Sequence, residues 1–251
     1  NKILLWGFVL SPFIIFFGLI NLTALGFFGE LPTFEQLENP KNNLATEIIS
    51  EDGVVLGGYF FENRTRVRYS ELPQNLIDAL IATEDIRFRN HSGIDSRALA
   101  RAVFGVFTGK KSSGGASTIT QQLAKMLFTE KPSSGWGRVM QKLKEWIIAS
   151  QLEKRYTKNE IITMYLNKFD WVNNAVGIKS AAQVYFNKKP KDLKTEESAV
   201  LVGMLKNPAL YNPNRRMELT TKRRDIVLFQ LHRYKFISDS LFDTLKKLPI
   251  S

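Results

Sequence analysis

Residues 73–93 read PQNLIDALIATEDIRFRNHSG, and this stretch decides the kind of fold that the chain adopts. Its apolar residues recur at the three- and four-residue spacing of one helix face: Leu76, Ile77, Leu80 and Ile81. The pattern predicts an amphipathic helix that ends in the carboxylate of Glu84, followed by a polar segment that breaks at Gly93.

Helical patterns continue towards the C-terminus. They predict helices at residues 96–107 after a cap at Asp95, from a cap at Ser117, at 139–155, from a capping box of Thr157 and Glu160, from Thr195 to about Lys206, and over 220–248. Gly- and Ser-rich loops separate them at residues 109–116 and 132–137, and the second loop is a candidate mobile flap. The globular part is therefore expected to be mainly α-helical.

The N-terminal side reads differently. Residues 31–50 mix Pro, Asn and charged residues and predict a linker, which we place at 30–50. Glu51-Asp52-Gly53 suits a turn, and the apolar residues at 54–56 and 59–61 suit short strands, so a small hairpin is expected within residues 51–70.

The first 29 residues predict a transmembrane anchor. Residues 3–29 carry no charge, and a span needs about 20 apolar residues. A cleaved signal peptide is the alternative, but its apolar region usually runs only about 7–15 residues. Lys2 precedes the run and Glu30 follows it, which favours a cytoplasmic N-terminus and an extracytoplasmic domain.

Composition limits the chemistry. The chain has 251 residues, no cysteine and a formal net charge of +11, so thiol chemistry and zinc–thiolate sites are excluded. The positive charge favours an anionic partner, either nucleic acid, anionic lipid or a phosphorylated substrate.

The first candidate cluster is residues 84–93. Packing beside aromatic residues can make a carboxylate such as Glu84 a usable general base, although a solvated pairing with Arg87 or Arg89 is the alternative. His91 has no second His or Cys nearby in the sequence, so it predicts turn stabilisation and no metal site.

The second and third clusters are basic. In residues 114–125, GGASTITQQLAK, glycines before a capped helix present free N–H groups that favour an anion such as phosphate; an ordinary capped helix is the alternative. In the third, Glu145 lies on a helix with Lys142 and Lys144, where it could hydrogen-bond a sugar or position a cation; a solvated face with ion pairs is the alternative.

Together and in this order, the clusters resemble the peptidoglycan glycosyltransferase family (glycosyltransferase family 51), found as monofunctional polymerases and as the N-terminal domain of class A penicillin-binding proteins. The family's motifs match Glu84, Asp85, Phe88, His91 and Gly93, then Ser117 to Gln122 with Lys125, then Lys142, Lys144, Glu145, Ala149 and Glu153. The resemblance covers roughly residues 45–248. It implies a lysozyme-like, mostly helical domain at residues 51–248 with a small flexible jaw around residues 109–137.

The resemblance also implies a reaction. Lipid II would be polymerised into glycan strands with inversion and release of undecaprenyl diphosphate, at the bacterial inner membrane. Glu84 would be the base and Glu145 would orient the donor or a divalent cation. The substrate-binding candidates are Asp85, Phe88, His91, Ser117, Thr118, Gln121, Gln122, Lys125, Lys142 and Lys144, with the lysines neutralising the diphosphate. No cofactor is required by the sequence, while Mg²⁺ or Mn²⁺ is compatible with it; no metal ligands are assigned.

Other interpretations stay open at this point. A lytic transglycosylase or muramidase would share the fold and a catalytic Glu but cleave glycan, and a silent membrane scaffold would need neither carboxylate. No zinc finger or aromatic-interleaved basic strand supports nucleic-acid binding. The linker and last helix favour a fragment of a longer enzyme with a C-terminal transpeptidase domain, although residues 1–251 lack its Ser-x-x-Lys pattern.

Overall fold

The computed structural model describes residues 2–29, 31–33, 46–49, 52, 55–59, 66–109, 117–129 and 134–250. Over these residues the protein is mainly helical, as expected. The elements are α1 (Lys2–Ala24), β1 (Thr46–Ile49), β2 (Val55–Tyr59), α2 (Gln74–Glu84), α3 (Ser96–Phe107), α4 (Ile119–Phe128), α5 (Gly135–Arg155), α6 (Lys158–Lys168), α7 (Ile178–Phe186), α8 (Thr195–Met204), α9 (Met217–Arg233) and α10 (Asp239–Lys247). Short 3₁₀ turns occur at Tyr69–Glu71, Phe88–Asn90 and Pro190–Asp192.

A hairpin forms, but its strands differ from those predicted: residues 54–56 and 59–61 were expected as two strands, whereas Val55–Tyr59 form a single strand. Strands β1 and β2 pair antiparallel, with Thr46 opposite Tyr59 and an irregularity between Ile48 and Ile49. Strand β1 therefore lies inside the segment predicted as linker, where β-branched residues outweigh the Pro- and Asn-rich composition of the preceding residues. Residues 60–61, expected in the second strand, lie outside the described residues.

One hydrophobic core joins most of the helices. Helix α2 packs against α8 and α9, while α4 packs against α5 and α6. The largest fully buried side chains include Trp171, Arg224, Tyr165, Phe88, Leu76, Ile77, Leu80, Ile119, Leu123, Ile148 and Leu152. The helix that ends at Glu84 is thus central, because α4, α5 and α6 contribute to the same core.

Several helix boundaries follow the sequence signals. Asp95 Oδ1 accepts hydrogen bonds from the backbone N–H groups of Arg97 and Ala98 at the start of α3. Thr157 and Glu160 form the predicted capping box of α6.

Other boundaries differ from the predictions. Thr118 rather than Ser117 caps α4, and α5 starts at Gly135 because the Ser134 side chain caps it. The region predicted as one helix over 220–248 divides into α9 and α10, because Lys235 adopts a left-handed φ of 61° and Ser238 caps a new helix.

The predicted anchor contains a helix, whereas much of the predicted jaw lies outside the described residues. Residues 2–24 form helix α1, which contacts α5. Within the described part of the chain, no helix meets the combined length and hydropathy expected of a membrane-crossing segment. Residues 110–116 and 130–133 of the predicted jaw lie outside the described residues.

Candidate active site

The carboxylate of Glu84 lies where three helices meet. Glu84 is the last residue of α2, and its Oε2 accepts a 2.8 Å hydrogen bond from Nε2 of Gln122 on α4. The Oε1 atom of Gln122 in turn accepts a 2.9 Å hydrogen bond from the hydroxyl of Tyr165 on α6. Burial, and then the negative charge of Glu84, raise the pKa of Tyr165 well above its usual value of 10.0.

Buried side chains hold the segment after Glu84 in place. Asp85 is buried, and its Oδ2 accepts a hydrogen bond from the N–H of Ile119 at 3.2 Å and lies 3.0 Å from Nε2 of His91. Phe88 is fully buried. The structure thus buries the side chains of these three motif residues, Asp85, Phe88 and His91, and they hold the backbone that follows Glu84.

Gly93 connects this segment to the next motif. Its carbonyl oxygen accepts hydrogen bonds from the Thr118 hydroxyl at 2.7 Å and from Nε2 of Gln121 at 3.0 Å. Thr118 and Gln121 are both almost completely buried. Their side chains therefore join the first two motifs instead of pointing into solvent.

The second carboxylate lies on α5 beside a cation. Oε2 of Glu145 accepts a 3.0 Å hydrogen bond from Nζ of Lys142, one turn earlier, and this ammonium also donates to the Ser117 hydroxyl at 2.8 Å. Glu145 is 6% exposed, and the Lys142 side chain is 34% exposed. The Lys142 side chain is thus partly exposed, and its ammonium is oriented by two oxygens.

Both carboxylates are thereby tied to the N-terminal half of α4. Glu84 is bonded to Gln122 of this helix, and Glu145 is connected through Lys142 to Ser117, the residue before the helix cap. The hydrogen bonds connect the three clusters that the sequence separates.

The remaining lysines occupy different positions. Lys125 is exposed on α4. Lys144 points towards the end of α1, because its Nζ would be 2.7 Å from a Cβ atom built on Gly29. Lys144 and Lys142 thus leave α5 in different directions, and the structure brings Lys142 rather than Lys144 to Glu145.

A buried ion pair near the site was not predicted from the sequence. Oε1 of Glu153 accepts hydrogen bonds from Nζ of Lys158 at 2.7 Å and from the Thr120 hydroxyl at 2.6 Å. The same ammonium donates to the backbone oxygen of His91 at 2.6 Å and lies 4.3 Å from the centroid of the Phe88 ring. Lys158 therefore connects the segment after Glu84 to α5 and α6. Its position beside a capping box did not predict this role.

The described side chains do not form a metal site on their own. Among the described residues, no three His, Asp or Glu side chains lie close enough together to hold an ion. Glu145 meets an ammonium rather than a second carboxylate, so we derive no step through a metal.

Comparisons with known proteins show which sequences this chain is similar to. The sequence model of the family described as Transglycosylase matches residues 52–232. Penicillin-binding protein 1A of Vibrio cholerae is 35% identical over 232 residues, which cover 91% of this chain and 28% of the relative. Penicillin-binding protein 1F of Bacillus subtilis is 36% identical over 233 residues, covering 92% and 31% respectively.

The chain spans about a third or less of the length of these relatives. The crystal structure of penicillin-binding protein 1A from Haemophilus influenzae matches 84% of this chain and 21% of that chain, with 23% identity and a TM-score of 0.48. This structural likeness is too low to add to the argument from sequence.

Proposed function

The chain belongs to the transglycosylase family, and on this premise we propose that it is a peptidoglycan glycosyltransferase that polymerises lipid II into glycan strands. The observation that supports this most directly is the connection of two carboxylates and an ammonium, those of Glu84, Glu145 and Lys142, through one helix end. The family match also favours polymerisation over glycan cleavage.

Glu84 acts as the general base in this proposal. Its carboxylate takes the proton from a sugar hydroxyl of the acceptor lipid II, and the hydroxyl oxygen forms a bond to the anomeric carbon of the donor strand. The bond from that carbon to the diphosphate oxygen breaks, and the diphosphate leaves with the electron pair. Attack from the opposite face inverts the configuration at the anomeric carbon.

Two lysines stabilise the diphosphate leaving group. Lys142, held beside Glu145, and the exposed Lys125 neutralise the charge that grows on the diphosphate, an effect that can be worth several kcal/mol. We expect Lys125→Ala to weaken donor binding by at least about tenfold, and an unaltered donor affinity would refute this role.

A lipid-linked substrate favours an enzyme that is located at the membrane. Helix α1 carries exposed apolar side chains, among them Trp6, Ile14, Ile15 and Phe17, which suit contact with lipid. We propose that the enzyme works on the outer surface of the bacterial inner membrane, attached through its N-terminal region, and that the full-length protein adds a C-terminal transpeptidase domain.

The function is tested with labelled lipid II in detergent. Glu84→Gln should abolish glycan strands on a product gel while its thermal melt stays near that of the parent chain. Asp243→Asn, which changes an exposed carboxylate on α10, is the control and should polymerise normally. Release of muropeptides from intact sacculi without strand growth would contradict the proposal, and unfolding of Glu84→Gln would indicate a structural carboxylate.

A further inference from the structure

Tyr165 stands behind the candidate base in a chain of two hydrogen bonds. Its hydroxyl donates to Oε1 of Gln122 at 2.9 Å, and Nε2 of Gln122 donates to Oε2 of Glu84 at 2.8 Å. The ring of Tyr165 is completely buried, so it does not reach a bound substrate. Any influence of Tyr165 on the reaction must therefore pass through Gln122.

The amide of a glutamine can present either its N–H or its oxygen to a neighbour. If Oε1 of Gln122 faced Oε2 of Glu84, two hydrogen-bond acceptors would meet in a half-buried place, which is unfavourable. The Tyr165 hydroxyl prevents this because it supplies a donor for Oε1 on the opposite side. Burial and the charge of Glu84 raise the pKa of Tyr165, so the phenol keeps its proton for this hydrogen bond.

We propose that Tyr165 is a positioning residue for the reaction: it fixes the amide of Gln122 so that Nε2 stays against Glu84 and holds that carboxylate in one orientation. Linked hydrogen bonds also polarise one another, which strengthens the contact to Glu84. The neighbouring acid, Asp85, is paired with His91, and the hydrogen-bond partners from α4 and α6 are neutral. This inference rests on the proposed function.

The test is Tyr165→Phe, which removes the hydroxyl and keeps the buried ring. We expect kcat for lipid II polymerisation to fall by about tenfold, a part of the roughly 10²–10⁴-fold contribution of a general base, with KM changed less than about twofold. A merely structural tyrosine would lower the melting temperature and leave kcat unchanged.

Tyr185→Phe is the matched control. The Tyr185 hydroxyl donates a 2.7 Å hydrogen bond to the backbone oxygen of Trp171, away from Glu84, so its removal should lower the melting temperature and leave kcat unchanged. In a Gln122→Met background, which lacks the amide, Tyr165→Phe should cost less than about a further twofold in kcat.

An unchanged kcat in Tyr165→Phe, a loss that appears in KM instead of kcat, or a full additional tenfold loss in the Gln122→Met background would overturn the inference. A parent chain that folds but does not extend lipid II would defeat the proposed function instead. Measuring the parent chain first separates the two failures.

Discussion

Gly93 lies directly against the backbone of Ala149, so that a Cβ atom built on Gly93 would be 2.8 Å from the carbonyl carbon of Ala149. Gly93 also has a left-handed φ of 88°. A side chain at this position would therefore meet both a steric and a conformational penalty. Because Ala149 lies one helical turn after Glu145, this contact sets the distance between the segment after Glu84 and the helix of the second carboxylate.

Gly93→Ala should destabilise the protein by about 3 kcal/mol, combining the left-handed backbone with overpacking against a rigid helix. Denaturant unfolding measures the loss. Gly109→Ala is the control: Gly109 also has a positive φ, of 66°, but nothing lies within 4 Å of its Cβ position, so about 1 kcal/mol is expected. Equal losses in the two variants would show that the contact with Ala149 is unimportant.

Lys158→Met should cost about 3 kcal/mol, because the Glu153 carboxylate would be left buried without its cation. Adding Glu153→Gln should recover at least about 1 kcal/mol of this loss by removing the buried charge. Lys222→Met, which breaks the exposed pair with Glu218, should leave the melting temperature unchanged. Additive losses at Lys158 and Glu153 would contradict the assignment of a coupled pair.

Val172→Gly should stabilise the chain by about 1 kcal/mol, because a β-branched residue is strained at the φ of 59° that Val172 adopts. Asn173 and Asn174 follow it with left-handed φ values of 52° and 59°, and asparagine tolerates this conformation. The melting temperature should rise by about 2–4 °C. Val172→Ala should fall between the two, and a Gly variant that melts below the parent would rule out the strain.

Glu160 should contribute stability that depends on pH. Hydrogen bonds from the backbone and then the side chain of Thr157 lower the pKa of Glu160 below its usual value of 4.5. A carboxyl whose pKa is depressed on folding stabilises the folded state above 4.5, and this contribution is lost as the pH falls through the lowered pKa.

Glu160→Gln should therefore reduce the melting temperature at pH 7, and its difference from the parent should shrink as the pH falls below 4.5. Thermal melts across this range provide the measurement. Asp243→Asn, at an exposed position, should show little difference at either end. A constant difference for Glu160→Gln at all pH values would contradict the capping role.

The best predictions from sequence concern contacts between residues a few positions apart. The face formed by Leu76 and Leu80, the cap at Asp95 and the box at Thr157 all depend on spacings of two to four residues, which periodicity makes visible. Even here, adjacent hydroxyls were not distinguished: Thr118 caps α4, while Ser117 receives a hydrogen bond from Lys142.

The site residues that the sequence interpretation missed make contacts between positions that are far apart in the sequence. Tyr165 reaches Glu84 through Gln122, and Lys158 reaches the backbone oxygen of His91, 67 residues away. The core pattern explains Tyr165, and the start of a capped helix explains Lys158, equally well as ordinary helix components. No local signal therefore separates the two roles.

By itself the sequence determined the helical class, the caps at Asp95 and Thr157, the order of the motifs and the family. It could do so because hydrophobic periodicity and short-range hydrogen bonds depend on residues that are close together in the sequence. Only the tertiary structure decided that Asp85, Thr118 and Gln121 face inwards, and that the ammonium of Lys142 reaches Ser117. The physical reason is that these outcomes depend on how α2, α4, α5 and α6 pack together, which sets side-chain distances across the core.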